Sequence, residues 1–317
     1  MIDSKDVSVV VQGAISPQFT SNCLKSIRTF LPQAEIILSS WQGSEIKDLD
    51  FDKIILSRDV GGNICSRDKK GVNNCNREIV STFAGIKLAS RKYILKLRTD
   101  IILKNNNILR LCFEELKRDA FYSFTKNRIV VCSIYSRLFA KKDNKIFPIL
   151  FHPSDWIYFG LKEDIYDVFD IPLTNEPKFS MWFDDKPQER GRFIDAHKYR
   201  LWKFAPESYI WSSYLHKKIE FVCQDKLDIT AKLIKLSRRS IVNNFYIADQ
   251  IQLGINLEKY NIKQHLMPII DREGLYSNYI WQKDYKRFCD HDYHVKPTIT
   301  MLLSKLVDIF NIERNRR

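Results

Sequence analysis

The run YILKLRTDIIL, residues 93–103, is apolar except where Lys96, Arg98 and Asp100 interrupt it. Side chains alternate along a strand, so Tyr93, Leu95 and Leu97 share one face and the three charged residues share the other. An unpaired charge is expensive to bury, so the charged row needs either solvent at a half-exposed edge strand or a polar site that it lines. Two further stretches hold residues able to do chemistry. HPSDW brings His152, Asp155 and Trp156 together behind an apolar run. APESYIW reads as a helix start, with Pro206 at the first position and Glu207 in the first turn. A carboxylate so placed can accept a proton or hold a hydroxyl; it can equally cap a turn or suit a helix dipole.

The elements around these residues follow from pattern. VSVVVQG (7–13) is a β-branched run ended by a glycine, and AEIILSSW (34–41) and DKIILS (52–57) are two more strands. Between the first two, Thr20 can cap a helix that carries Cys23, Leu24, Ile27 and Phe30 on one side and ends at Pro32. NREIVSTFAGIKLAS (76–90) is a helix with Ile79, Phe83 and Ile86 inward, and the charged strand follows it. Strands separated by helices imply a parallel sheet whose ligand lies at the carboxyl ends of the strands, where Asp100 falls. FYSF, IVVCSIYS and IFPILF suggest further strands, and HPSDWIYFGLKEDIYDVF leads into a short helix. Residues 172–200 read as a long loop or lid. The expected division is a catalytic domain over 1–223, with a nucleotide half at 1–104 and an acceptor half at 105–223. A mainly helical, basic extension over 224–317 follows, ending in the amphipathic TITMLLSKLVDIF.

Composition narrows the class. The 317 residues are 44% hydrophobic and 28% charged, as in a soluble globular protein able to build a core. No apolar run reaches the roughly 18 residues of a membrane helix, and the acidic start MIDSKD is unlike a signal peptide, so the expected location is the cytoplasm. Seven cysteines without a CxxC pair argue against a disulfide framework or a structural zinc site, and for reduced, mostly buried thiols. A formal charge of +13, densest at KLIKLSRRS and ERNRR, points to an anionic partner such as a nucleotide, a membrane surface or nucleic acid. No DNA- or RNA-binding motif accompanies the charge, so nucleic acid is not the expected partner.

A carboxylate brought to a strand end about a hundred residues into a strand–helix series resembles the GT-A glycosyltransferase fold. The phrases VVVQGAI, CLKSIRTFLPQAEIILSSWQG, NREIVSTFAGIKLA, YILKLRTDIIL and FHPSDWIYFGL together resemble the WavE family of lipopolysaccharide-synthesis proteins. The resemblance runs from residue 7 to about 215 and continues loosely through NNFYIADQIQLGINLEKY. It implies a GT-A-like, Rossmann-like α/β fold: a mostly parallel central sheet flanked by helices, with a helical C-terminal extension. It also implies a transferase that moves a sugar, with UDP-sugar the expected donor, onto a lipopolysaccharide or capsular glycan. Such an acceptor is often carried on lipid at the cytoplasmic face of the inner membrane, where the basic C-terminal part could attach peripherally.

The resemblance also distributes roles. Gln12 and Gly13 would lie where base and ribose bind, though Gly13 can also be a turn residue. Asn76 and Arg77, at a helix start, would meet the nucleotide; an Asn cap and a surface arginine is the alternative. The Asp-x-Asp motif that holds a divalent cation on the donor diphosphate is here Arg98-Thr99-Asp100. Asp100 would then anchor Mn²⁺ or Mg²⁺, or Arg98 would contact the diphosphate itself; the alternative is an ion pair between the two within the sheet. His152, Trp156 and Trp211 would contact the acceptor, with Glu207 or Asp155 as the catalytic base. Two rival classes remain. A sugar nucleotidyltransferase usually carries a glycine-rich phosphate loop, and VVVQGAISPQ is poor in glycine. A basic nucleic-acid-binding module rests on charge alone.

Overall fold

The computed structural model describes residues 1–111, 116–142, 145–186, 200–257 and 274–303. The strands in chain order are β1 (Val7–Gln12), β2 (Glu35–Trp41), β3 (Lys53–Ser57), β4 (Asn63–Ile64), β5 (Val72–Asn73), β6 (Tyr93–Arg98) and β7 (Ile102–Leu103). They continue with β8 (Ile129–Cys132), β9 (Phe139–Lys142), β10 (Lys145–Pro148), β11 (Ile157–Leu161), β12 (Phe245–Ala248) and β13 (Ile255–Asn256). Seven of them form the central sheet, in the order β12-β8-β11-β6-β1-β2-β3. All neighbours are parallel except β11, which runs antiparallel to both β6 and β8. This is a mostly parallel α/β sheet flanked by helices, as the strand–helix series implies.

β1 and β2 are buried along their whole length, which is why they read as near-continuous apolar runs. The helices that join the strands are α1 (Pro17–Phe30), α2 (Cys75–Leu88), α3 (Lys162–Phe169), α4 (Pro206–His216), α5 (Ala231–Asn244) and α6 (Gln250–Leu253). α1 begins at Pro17, earlier than the expected Thr20 cap, and Thr20 Oγ1 instead accepts from Ser16 N at 3.0 Å. α2 lies across β1, β2 and β3, and it contacts α3, which in turn contacts α4. Its approach to β1 depends on Gly85, where a Cβ would come within 2.4 Å of Val10 Cγ1. Ile79 and Ile86 are buried, and Phe83 packs on Tyr166 of α3 at 5.0 Å.

Three sequence expectations change in the middle of the chain. FYSF does not make a strand: Asp119 accepts from Phe121 N and starts a 3-10 turn at Ala120–Tyr122. IYFGL, expected only to lead into a helix, is the antiparallel strand β11. The segment after residue 223 supplies α5 and also the edge strand β12, which pairs with β8, so it is built into the sheet. α5 packs on the helix Asn278–Phe288, which contacts β12. The expected lid is irregular over 172–186; the remainder of it up to 199 lies outside the described residues, as do ERNRR and most of TITMLLSKLVDIF. The six described cysteines are free thiols, four of them buried.

Candidate active site

The charged row of β6 is central, since β1 and β11 flank the strand. The edge-strand alternative is therefore excluded, and each charge must find a partner. Lys96 is fully buried, and its Nζ donates to Glu78 Oε1 and to the backbone carbonyl of Asp155. Glu78 Oε2 accepts from Gln12 Nε2 at 2.9 Å, and Gln12 Oε1 accepts from Ser81 Oγ at 2.7 Å. The Gln12 amide thus spends both ends on holding Glu78 and the helix behind it.

At the end of β6, Arg98 grips Asp100 through Nε and Nη2 at 3.0 and 2.7 Å. Its guanidinium lies 4.2 Å from the centroid of the Trp156 ring, a cation–π contact. Thr99 Oγ1 donates to the Ala14 carbonyl at 2.7 Å, drawing the end of β6 against the turn after β1. That turn passes through Gly13 at φ 115°, in the region that favours glycine. A cleft of about 450 Å³ opens at these carboxyl ends. Gln12, Gly13, Trp41, Arg77, Glu78 and the Arg98–Asp100 pair line one side; Asp155, Trp156, Pro206 and Glu207 close the other. Arg77 is held at the cleft by Asp59 at 2.8 and 2.6 Å and by Asn74 Oδ1 at 3.1 Å, and it keeps the Asp59 carboxyl below the usual carboxylate range.

Two expected ligand residues are placed elsewhere. Asn76 is buried, and its amide binds the backbone N, backbone carbonyl and Oγ1 of Thr174, fastening the 172–176 segment onto α2. It is a structural clamp and does not line the cleft. Trp211 is fully buried, stacked on Tyr214 at 5.0 Å, edge-on to Phe245 at 4.5 Å, with Nε1 donating to Ser240 Oγ. Trp211 follows Glu207 by one helical turn, but this face of α4 turns into the core after the first turn, so Trp211 is sealed away from both clefts.

Glu207 occupies the first turn of α4, as expected. Burial, assisted by the Glu78 carboxylate, pushes its carboxyl up to about 7, against Arg137 and Lys96. Asp155 is also raised, by burial and then by the charges of Glu207 and Glu78. His152 Nε2 lies 3.5 Å from Glu207 Oε2. Burial and the Arg137 charge push the imidazole down to about 4, so it is neutral at pH 7 and the contact is polar, with no ion pair. Glu207 also lines a second cavity, of about 400 Å³, with His152, Arg137, Arg200, Trp202, Phe204 and Lys226. One carboxylate therefore stands in the wall between two clefts.

A family model described as WavE lipopolysaccharide synthesis matches residues 7–311. The chain belongs to the WavE family. No curated protein matches it. Among solved structures, 4-diphosphocytidyl-2C-methyl-D-erythritol synthase from Anaerococcus prevotii DSM 20548 aligns at 16% identity and a TM-score of 0.33, over 57% of this chain and 85% of that one.

Both Asp100 oxygens are engaged by Arg98, and among the described residues no group of three or more His, Cys, Asp or Glu is arranged to hold a metal. Arg98 and Arg77 bring guanidinium groups to this end of the cleft, each paired with a carboxylate. The basic stretch KLIKLSRRS is also less of a surface patch than its composition suggests: Arg238 pairs with Asp284 and Arg239 with Asp119. Among the described residues no helix is long and apolar enough to cross a membrane.

Glu78, and Arg137, Arg200, Trp202 and Lys226 of the second cavity, are the functional candidates that the sequence did not bring forward. A buried lysine requires a carboxylate within reach, and Glu78 is the only acidic residue between Cys75 and Arg98. Arg137, Arg200, Trp202 and Lys226 carry no shared local pattern by which they could have been grouped.

Proposed function

We propose that this WavE protein is a glycosyltransferase that moves a sugar from a nucleotide-sugar donor, of the UDP-sugar class, to a hydroxyl of a bacterial lipopolysaccharide or capsular glycan. The observation that carries the reading is Glu207 in the wall shared by two clefts, with a carboxyl raised to about 7. The donor occupies the cleft at the strand ends, its diphosphate toward Arg98 and Arg77, each oriented by its own carboxylate. Guanidinium groups suit a phosphate that gains charge as it departs. The acceptor enters from the second cavity, and Glu207 takes the proton of its attacking hydroxyl. The new glycosidic bond forms at the anomeric carbon as the bond to the diphosphate breaks, so the configuration inverts and the nucleoside diphosphate leaves. A base that titrates near neutrality is well matched to this task. Asp155, its carboxyl raised by burial and then by the Glu207 and Glu78 charges, faces the same cleft as the second carboxylate. The acceptor setting this reading implies is lipid-linked glycan at the cytoplasmic face of the inner membrane.

The test is incubation of the full chain with a panel of nucleotide sugars and lipopolysaccharide-derived acceptors. Nucleoside diphosphate should be released, and the product sugar should show the anomeric configuration opposite to the donor. Release of pyrophosphate from a nucleoside triphosphate and a sugar 1-phosphate would overturn the reading in favour of a nucleotidyltransferase.

A further inference from the structure

The second cavity has a composition unlike the first. Arg137, Arg200 and Lys226 reach its lining together with Trp202 and Phe204, and its carboxylates are Glu207 and Asp225. Asp225 is already committed: Oδ2 accepts from Trp182 Nε1 at 2.9 Å and Oδ1 from Leu227 N at 2.9 Å. The cations are fixed from different parts of the chain. Lys226 Nζ donates to the Arg200 carbonyl at 2.7 Å, while the Arg200 guanidinium lies 5.4 Å from the Trp202 ring and donates through Nη1 to Cys65 Sγ at 3.5 Å. Two arginines and a lysine whose charge burial disfavours, gathered with aromatic rings in a space of about 400 Å³, make a pocket for a small ligand that brings negative charge and presents an apolar face. A pyranose ring supplies such a face through its axial C–H groups, and a carboxylate or phosphate on it would meet the basic side chains through charge-assisted hydrogen bonds.

We infer that the cavity bounded by Arg137, Arg200, Trp202 and Lys226 is a subsite for an acidic sugar carrying a carboxylate or a phosphate, with its free hydroxyl toward Glu207. The occupant is named as the acceptor on the strength of the transferase reading above. The preference for negative charge rests on the pocket alone. Burial already pushes the Lys226 ammonium down to about 7, so an anion beside it would restore the charge that the pocket now disfavours.

The inference is tested by direct binding to the full chain, with UDP present in excess to fill the first cleft. Three probes of similar size are compared by calorimetry: methyl glucoside, methyl glucuronoside and glucose 6-phosphate. At least one charged probe should bind ten or more times as tightly as the neutral one, on the order of one good charge-assisted pair. Whichever charged probe gains most identifies the acidic group. Arg200→Met and Lys226→Met should each lose the preference, while Arg200→Lys and Lys226→Arg keep much of it, and UDP affinity should not change in any of them. Equal binding of the three probes to the wild-type chain would overturn the inference even if no variant folds. So would a preference that survives both Met variants. Failure of the transferase reading looks different: the chain would release no nucleoside diphosphate from any donor, whatever the probes do.

Discussion

Replacing Glu207 by Gln should make the protein more stable and less active at the same pH. Burial and the Glu78 carboxylate raise the Glu207 carboxyl from its ordinary 4.5 to about 7. The folded chain therefore holds this proton more tightly than the unfolded chain does. The stability linked to it is fully present below pH 4.5 and is lost as pH climbs to about 7. At about 1.36 kcal/mol for each pH unit between those values, the loss is roughly 3 kcal/mol. Glutamine keeps the shape and has no proton to lose, so the variant retains what the wild type gives up. Urea unfolding near pH 5 and near pH 8 should show the wild type falling by roughly 2–3 kcal/mol more than Glu207→Gln over that interval. Transfer measured near pH 8 should meanwhile drop by roughly 10²–10⁴-fold in the variant. The wild-type kcat/KM should rise through about pH 7, a limb that the variant lacks. Parallel loss of stability in both proteins would refute the burial argument. Near-normal transfer by the variant would remove Glu207 as the base and leave Asp155 as the carboxylate to test.

Lys96→Met should cost roughly 3–5 kcal/mol in urea unfolding, because Glu78 would lose its buried counterion; a loss below 1 kcal/mol would mean that the pair contributes little to the fold. Trp211→Ala should cost roughly 3–5 kcal/mol through core packing and leave the donor and acceptor KM of the folded fraction unchanged. A raised acceptor KM would return Trp211 to the acceptor site. With Arg98 holding both oxygens of Asp100, donor binding and transfer should survive chelation by EDTA. Loss on chelation with recovery on adding Mn²⁺ would make Asp100 a metal ligand after all.

The parallel sheet was legible because its central strands are buried on both faces, and VSVVVQ and EIILSSW announce that burial as mostly apolar runs. The charged face of β6 was legible as an anomaly that needed partners, and its place at the cleft followed from the rule for parallel strand ends. What the sequence did not carry is direction around a helix. Asn76 neighbours Arg77, and Trp211 follows Glu207 by one turn, yet in each pair one residue lines the cleft and the other is sealed into the interior. Which way a helix turns its first polar residues is set by what it packs on, here the 172–176 segment and β12. The second cavity was illegible for a plainer reason: its cations come from residues 137, 200 and 226, and only the tertiary fold brings them together.

The parallel pairing of β12 with β8 has a consequence for how the chain is made. Phe245 lies opposite Ile129, more than a hundred residues earlier, so β8 stays an open sheet edge during synthesis until the last third of the chain emerges. That edge is the apolar run IVVC, a template for pairing with another molecule. A chain ended at residue 223 would carry Glu207 and most of both cleft linings, yet it would leave this edge permanently uncovered. Such a fragment should accumulate as aggregate, whereas one ended beyond the helix Asn278–Phe288, which packs on β12, should remain in solution.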